Sequence, residues 1–107
     1  MHSRLGAGLL ECVYEGAFCV ELKHALIPFE RQKVYPLVYK EEYIGAYFAD
    51  IVVDNKIIME LKSVKSLSPL MEAQLINYLK LSGISVGYLI NFNALRLTWK
   101  RFVNMRE

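Results

Sequence analysis

The chain has 107 residues, 54% of them hydrophobic and 22% charged, with a formal net charge of +2. That length suits one compact domain over residues 1–107, and the apolar content excludes a disordered segment. No apolar run is long enough to span a bilayer, and the mild positive charge permits a local nucleic-acid patch without demanding one.

The N-terminus, Met1-His2-Ser3-Arg4-Leu5-Gly6, lacks a signal peptide's apolar core and cleavage site, so a cytoplasmic protein is expected. Residues 9–25 read as a helix, because Leu10, Val13, Tyr14, Ala17 and Phe18 recur at helical spacing and form one apolar face. Glu11 lies beside that face. Gly16 is a weak point in the helix, and Ile27-Pro28 ends it. Cys12 and Cys19 are the only cysteines. On one helix they stand roughly 10 Å apart, too far for a disulfide, and two free, mostly buried thiols are expected. No Cys/His spacing resembles a zinc site.

Residues 29–39 read as a strand in which Pro36 argues for an edge position or a break. Lys40-Glu41-Glu42 is a polar turn. Residues 43–53 form a second strand, with Gly45 at a bulge, and residues 56–64 a third. Ser68-Pro69 is a good helix start and Gly83 a good stop. Between them Leu67, Met71, Leu75 and Leu79 make one ridge and Leu70, Gln74 and Tyr78 the next. Gln74 is thus expected on the buried side, where a hydrogen bond to nearby backbone would account for it. Residues 86–91 read as a short buried strand. After a turn at Asn91-Phe92-Asn93-Ala94, residues 95–102 alternate Leu95, Leu97 and Trp99 with Arg96, Thr98 and Lys100, a strand with one wet face. The order of helix, three strands, helix and two strands indicates an α/β domain.

The chemistry gathers between Ala49 and Lys62. Asp50, Glu60 and Lys62 are set into an otherwise apolar pair of strands, and a charge there must pair, neutralise or bind a metal. Two carboxylates and one ammonium are the composition of a hydrolytic metal site. Glu60 and Lys62 share a strand face. A two-residue turn at Asp54-Asn55 pairs Val53 with Lys56 and puts Asp50 opposite Met59, on the wrong face. A three-residue loop, Asp54-Asn55-Lys56, pairs Val53 with Ile57 and puts Asp50 across from Glu60. Such loops usually end in a residue with positive φ, which Lys56 tolerates less well than Asn55, so the turn chemistry leans towards the first register. The plain alternative is a surface salt bridge between Glu60 and Lys62.

Two further patterns bear on these residues. Gly8-Leu9-Leu10-Glu11-Cys12-Val13-Tyr14 has the form G-x-x-E-x-x-Y, and Gln74-Leu75-Ile76-Asn77-Tyr78 has the form Q-x-x-x-Y. With Asp50 and Glu60-Leu61-Lys62 between them, and with the tail Tyr88-Leu89-Ile90-Asn91-Phe92, the chain resembles the GxxExxY proteins of the PD-(D/E)XK nuclease-like superfamily over nearly its whole length. The Q-x-x-x-Y element is similar to that of the RecB-type nucleases.

The resemblance implies a restriction-endonuclease-like core, a mixed central sheet flanked by helices. It implies that Asp50 and Glu60 hold Mg²⁺ or Mn²⁺, with the Leu61 carbonyl as a further ligand. Lys62 would orient the attacking water or stabilise charge on the phosphate. Glu11 would add a ligand or position water, and Gln74 and Tyr78 would steady the site and touch the substrate backbone. It further implies that relatives carry another helical segment before Leu5-Gly6, so that this chain is N-terminally short, with His2 matching a family position. Oxygen ligands suit hard cations, and Mg²⁺ typically takes one or two carboxylates. Lys65, Arg96, Lys100, Arg101 and Arg106 are candidates for contact with DNA, with solvated surface charge as their plain explanation. Nothing suits base-edge reading, so binding is expected to be insensitive to sequence.

The expected function is therefore divalent-metal-dependent hydrolysis of phosphodiester bonds in DNA. The alternatives are an inactive nuclease-fold binding or interaction module, as part of a homo-oligomer, and a structural protein in which the charges form a buried ion pair.

Overall fold

The computed structural model describes residues 11–92 and 97–103. In chain order it holds α1 (Glu11–His24), β1 (Phe29–Tyr39), β2 (Glu42–Val53), β3 (Ile57–Lys62), α2 (Pro69–Ser82), β4 (Val86–Asn91) and β5 (Thr98–Val103). One five-stranded sheet runs β1-β2-β3-β4-β5. Neighbours are antiparallel except β3 and β4, which are parallel and joined across α2. The mixed sheet with a helix on each side is the α/β, restriction-endonuclease-like architecture expected.

Two cores flank the sheet because side chains alternate faces along a strand. On one side Leu75 and Leu79 of α2 pack with Tyr47, Ala49, Ile58 and Leu89. On the other, Tyr14, Cys19 and Leu22 of α1 pack with Ile51, Leu61, Ile90 and Phe92. Tyr14 stacks on Phe92 with ring centroids 4.4 Å apart. Among the described residues no helix is long and apolar enough to cross a membrane.

Both ends of α2 follow from local chemistry. The Ser68 side chain accepts from the Met71 N–H at 3.2 Å, Pro69 occupies the first turn, and Gly83 at φ 77° closes the helix in the left-handed region. The buried ridge centres on Leu75 and Leu79, which lie against Gly87; a Cβ there would meet Leu75 Cδ1 at 3.0 Å and Leu79 Cδ2 at 3.1 Å. With that ridge inward, Leu70 is 68% exposed and Gln74 faces solvent. This corrects the expectation that Gln74 lies on the buried side.

The inner face of α1 is also rotated from the expected one. Glu15 is buried while Val13 is 41% exposed, and Cys12 is exposed rather than buried. Glu15 tolerates burial because β1 supplies donors for both of its oxygens. Cys19 is the buried thiol, and burial pushes it up from the ordinary cysteine range.

The hairpin of β1 and β2 changes face partway along. Tyr47 and Ala49 belong to the α2 core, Ile51 to the α1 core and Val52 to the α2 core again. Asp50 and Ile51 are therefore consecutive on the α1 side. Directly opposite, Gln32 lies at φ 53°, between the pairs Arg31↔Ile51 and Lys33↔Ala49. A second irregularity, expected near Gly45, lies between Leu37↔Gly45 and Val38↔Tyr43. Pro36 sits on the edge strand, where a missing N–H is tolerated.

Candidate functional site

The turn between β2 and β3 decides where the acids meet. Val53 pairs with Ile57, Val52 with Ile58 and Ile51 with Met59. This is the three-residue loop, not the two-residue register that the turn chemistry favoured. Positive φ falls on Asp54 (51°) and Asn55 (57°), two residues that tolerate it, and Lys56 is spared. The Lys56 N–H donates to the Val53 carbonyl at 2.9 Å, and the Asp54 N–H donates to the Pro28 carbonyl at 2.8 Å.

Continuing that register sets Asp50 across from Glu60, at the place where β2 and β3 part. Two main-chain donors lose their ladder partners there, and side chains replace them. The Asp50 N–H donates to Glu60 Oε2 at 3.1 Å, and the Leu61 N–H donates to Asp50 Oδ2 at 2.8 Å. Each carboxylate thus caps the main chain of the opposite strand.

Glu60 is only 6% exposed. Its Oε2 also accepts the Tyr47 hydroxyl at 2.6 Å. Burial, and then the charge of Asp50, push its carboxyl up to about 7, against the pull of the Tyr47 and Asp50 hydrogen bonds and the Lys62 charge. Asp50 is likewise raised, chiefly by burial, while the Leu61 N–H opposes the shift. Burial and the Glu60 charge drive the Tyr47 hydroxyl far up, so it stays protonated and a donor. Tyr78 stacks on Tyr47 with centroids 3.6 Å apart and rings 13° from parallel. Tyr78 therefore reaches the acid pair through Tyr47.

The first turn of α1 reaches the same place. Glu11 Oε2 accepts from the Ser63 N–H, directly after β3, at 3.1 Å. One turn later Glu15 accepts from Arg31 Nε at 2.9 Å and from Gln32 Nε2 at 2.6 Å. Gln32 Nε2 also lies 3.3 Å from Asp50 Oδ1. A cavity of about 220 Å³ is lined by Glu11, Cys12, Glu15, Gln32 and Asp50.

Lys62 is the last residue of β3, half-buried, and paired in register with Asn91. Its charge lowers the pKa of both Asp50 and Glu60. The loop beyond it is tied by the Asn91 amide, which accepts from the Val64 N–H at 3.1 Å and donates to the Val64 carbonyl at 2.9 Å.

Asp50, Glu60 and Glu11 thus each bond main chain at or beside the end of β3, which Lys62 closes, and Tyr78 touches the support of Glu60. Gln74 does not join them: it is exposed on α2. Lys65, Lys100 and Arg101 are all exposed. Lys65 and Lys100 border a groove of about 320 Å³ with Ser66, Asn91 and Thr98. Lys100 is held by Glu72 at 2.6 Å, and Arg101, the next residue of β5, points to the opposite face. Arg96, Arg106 and His2 lie outside the described residues. Sequence reasoning missed Glu15, Gln32 and Tyr47. Glu15 had a signal, since it follows Glu11 at i+4 on one helix face.

Among the described residues no three Asp, Glu, His or Cys side chains stand close enough to hold a metal ion. Asp50 and Glu60 each bond the main chain of the opposite strand, and both hydrogen bonds accepted by Glu60 fall on Oε2. A pair of hard oxygen donors fits a cation such as Mg²⁺, which fills its other positions with water and phosphate.

A family model, the PD-(D/E)XK nuclease superfamily, matches residues 1–102. Among solved structures, the crystal structure of SSO0001 is similar with a TM-score of 0.65 and 18% identity. The similarity covers 89% of this chain and 50% of that one, so the chain spans half the length of that protein, and the likeness is one of fold. No curated protein matches the chain.

Proposed function

The chain belongs to the PD-(D/E)XK nuclease superfamily, and from that premise we propose that it is a divalent-metal-dependent nuclease that hydrolyses phosphodiester bonds in DNA. One observation carries the proposal: the register Val53↔Ile57, which sets Asp50 against Glu60 beside the start of Lys62. A surface salt bridge between Glu60 and Lys62 would not need Glu60 buried.

Asp50 and Glu60 hold Mg²⁺ or Mn²⁺. When bound, the cation lowers the pKa of a coordinated water and offsets charge on the phosphoryl oxygens. Lys62 places an ammonium beside the charge that grows on the scissile phosphate. Glu11 orients water at the mouth of the cavity. Tyr47, which Tyr78 backs, keeps Glu60 in place. Gln74 and Lys65, both exposed, lie where contact with the DNA backbone is open to them, as does Lys100, whereas Arg101 lies on the other face of β5. Such contacts are insensitive to sequence. Gly8, Glu11 and Tyr14 support a place in the GxxExxY branch.

The test is cleavage of labelled DNA by the purified chain with Mg²⁺, with Mn²⁺ and with chelator. Lys62→Ala should lower the rate on the order of 100- to 1,000-fold, as loss of one preorganised donor does elsewhere, with the fold intact. A variant as active as wild type would overturn the assignment.

A second reading is favoured by the outer half of the β1–β2 hairpin. On the face that also carries Gln32 and Asp50, the cross-strand pairs Val34↔Phe48, Pro36↔Ala46 and Val38↔Tyr43 are exposed on all six residues. A strip of that kind marks an interaction surface. It supports a nuclease-fold interaction module, or a homo-oligomer, in which the acids carry no turnover.

A further inference from the structure

Gln32 is an expensive residue in its place. It sits inside a strand at φ 53°, in the left-handed region that a side chain with a Cβ rarely adopts. A residue so placed within regular pairing persists only where its surroundings enforce it, and such outliers gather at functional sites. The effect of the turn is specific. It brings Arg31 and Gln32 to the α1 side in succession, as Asp50 and Ile51 are brought opposite them.

What the turn delivers is an amide between two carboxylates. Gln32 Nε2 is 2.6 Å from Glu15 Oε1 and 3.3 Å from Asp50 Oδ1. A primary amide nitrogen has two N–H donors, one for each. Without it the Glu15 charge, which raises Asp50, would face Asp50 across the cavity with no donor between. Glu15 itself is not free to take another partner: Arg31 Nε holds its second oxygen at 2.9 Å. The Arg31–Glu15 pair thus fixes which end of the Gln32 amide faces Asp50. Asp50 is then gripped from two sides, by the Leu61 N–H on Oδ2 and by Gln32 on Oδ1.

We infer that Gln32, oriented by Glu15 and Arg31, is a positioning residue that presets the Asp50 carboxylate for the cation, an inference that rests on the metal-dependent reading above. Partners of this kind, one bond removed from a metal ligand, are worth about 10- to 100-fold in metal affinity.

The left-handed backbone supplies a clean test. Gln32→Gly removes the amide and relieves the left-handed strain while it leaves Glu15 Oε1 without its donor, so the fold of the metal-free variant is checked by its melt before binding is compared. Mn²⁺ binding, measured by calorimetry, should weaken about 10- to 100-fold. Exchange of the Leu61 amide hydrogen, compared with that of Leu89 in metal-free protein, should quicken by about 10-fold or more as Asp50 loses its second anchor. Gln32→Asn, which tolerates left-handed backbone and adds no charge but is too short to bridge both carboxylates, should weaken Mn²⁺ binding in the same direction. Wild-type affinity in Gln32→Gly or in Gln32→Asn, or unchanged Leu61 exchange, would each overturn the inference. Should wild type bind no Mn²⁺, the metal-dependent reading fails, and Leu61 exchange alone then decides whether Gln32 positions Asp50.

Discussion

The Tyr47 hydroxyl donates to Glu60 Oε2 at 2.6 Å, and the same oxygen takes the Asp50 N–H at 3.1 Å. A neutral donor and a main-chain donor are spent on one buried carboxylate, and Glu60 still titrates near neutrality. Tyr47→Phe removes the stronger of the two donors. It should destabilise the protein by about 1–3 kcal/mol at alkaline pH, where Glu60 is charged, and by less near pH 5, where it is not. Urea melts of wild type and variant at both pH values check this. An equal loss at both would show that the bond does not depend on the charge of Glu60.

The pH dependence has a definite sign. Glu60 titrates at about 7 in the fold and near 4.5 in the unfolded chain. Between those values the unfolded chain releases its proton and the folded one keeps it, so rising pH favours unfolding. Asp50, also raised, works in the same direction. Metal-free stability should fall from about pH 5 to about pH 8, by on the order of 3 kcal/mol for Glu60. Glu60→Gln should flatten the profile and leave the metal-free protein more stable than wild type at pH 8. A wild-type profile that rises over this range would contradict the burial of a charged Glu60.

Cation binding reverses that trend, because a metal ligand must be deprotonated. Mn²⁺ should raise the melting temperature more at pH 8 than at pH 6. Asp50→Asn should lose most of the rise while it keeps a fold. Thermal melts of the two proteins, each with and without Mn²⁺, are sufficient. A rise of equal size in both proteins would place the ion elsewhere.

Gly87 makes a separate prediction about the scaffold. A methyl group there would stand 3.0 Å from Leu75 Cδ1 and 3.1 Å from Leu79 Cδ2. Both leucines are fully buried and have little room to yield. Gly87→Ala should cost about 1–3 kcal/mol, as overpacked cores do, and lower the melting temperature by several degrees. A variant as stable as wild type would mean that α2 shifts freely on the sheet, and Tyr78 with it.

Much of this was legible in the residues alone. Ser68-Pro69 and Gly83 mark α2 because capping is local chemistry, and β1 and β4 run as their patterns indicate. Asp50, Glu60 and Lys62 stand out because charge inside an apolar run is costly wherever it occurs. The register was not legible. It depends on the tie from the Asp54 N–H to Pro28, a residue of the preceding element, and on left-handed backbone at two turn residues. Glu15 escaped notice for a similar reason: its partners Arg31 and Gln32 stand 16 and 17 positions away, and only the kink at Gln32 brings both to its face. Gln74 was misplaced because two neighbouring ridges of α2 looked equally apolar, and the close approach of Leu75 and Leu79 to Gly87 selects between them.

The contacts that assemble the site differ widely in the length of chain they close. The two exchanged bonds of Asp50 and Glu60 span 10 and 11 residues, whereas Glu11 meets Ser63 across 52. Loop closure is cheaper for short spans, and local contacts form sooner. The acid pair thus belongs to a hairpin that closes early in folding. Glu11 joins them only through the much longer closure that docks α1 beside β3.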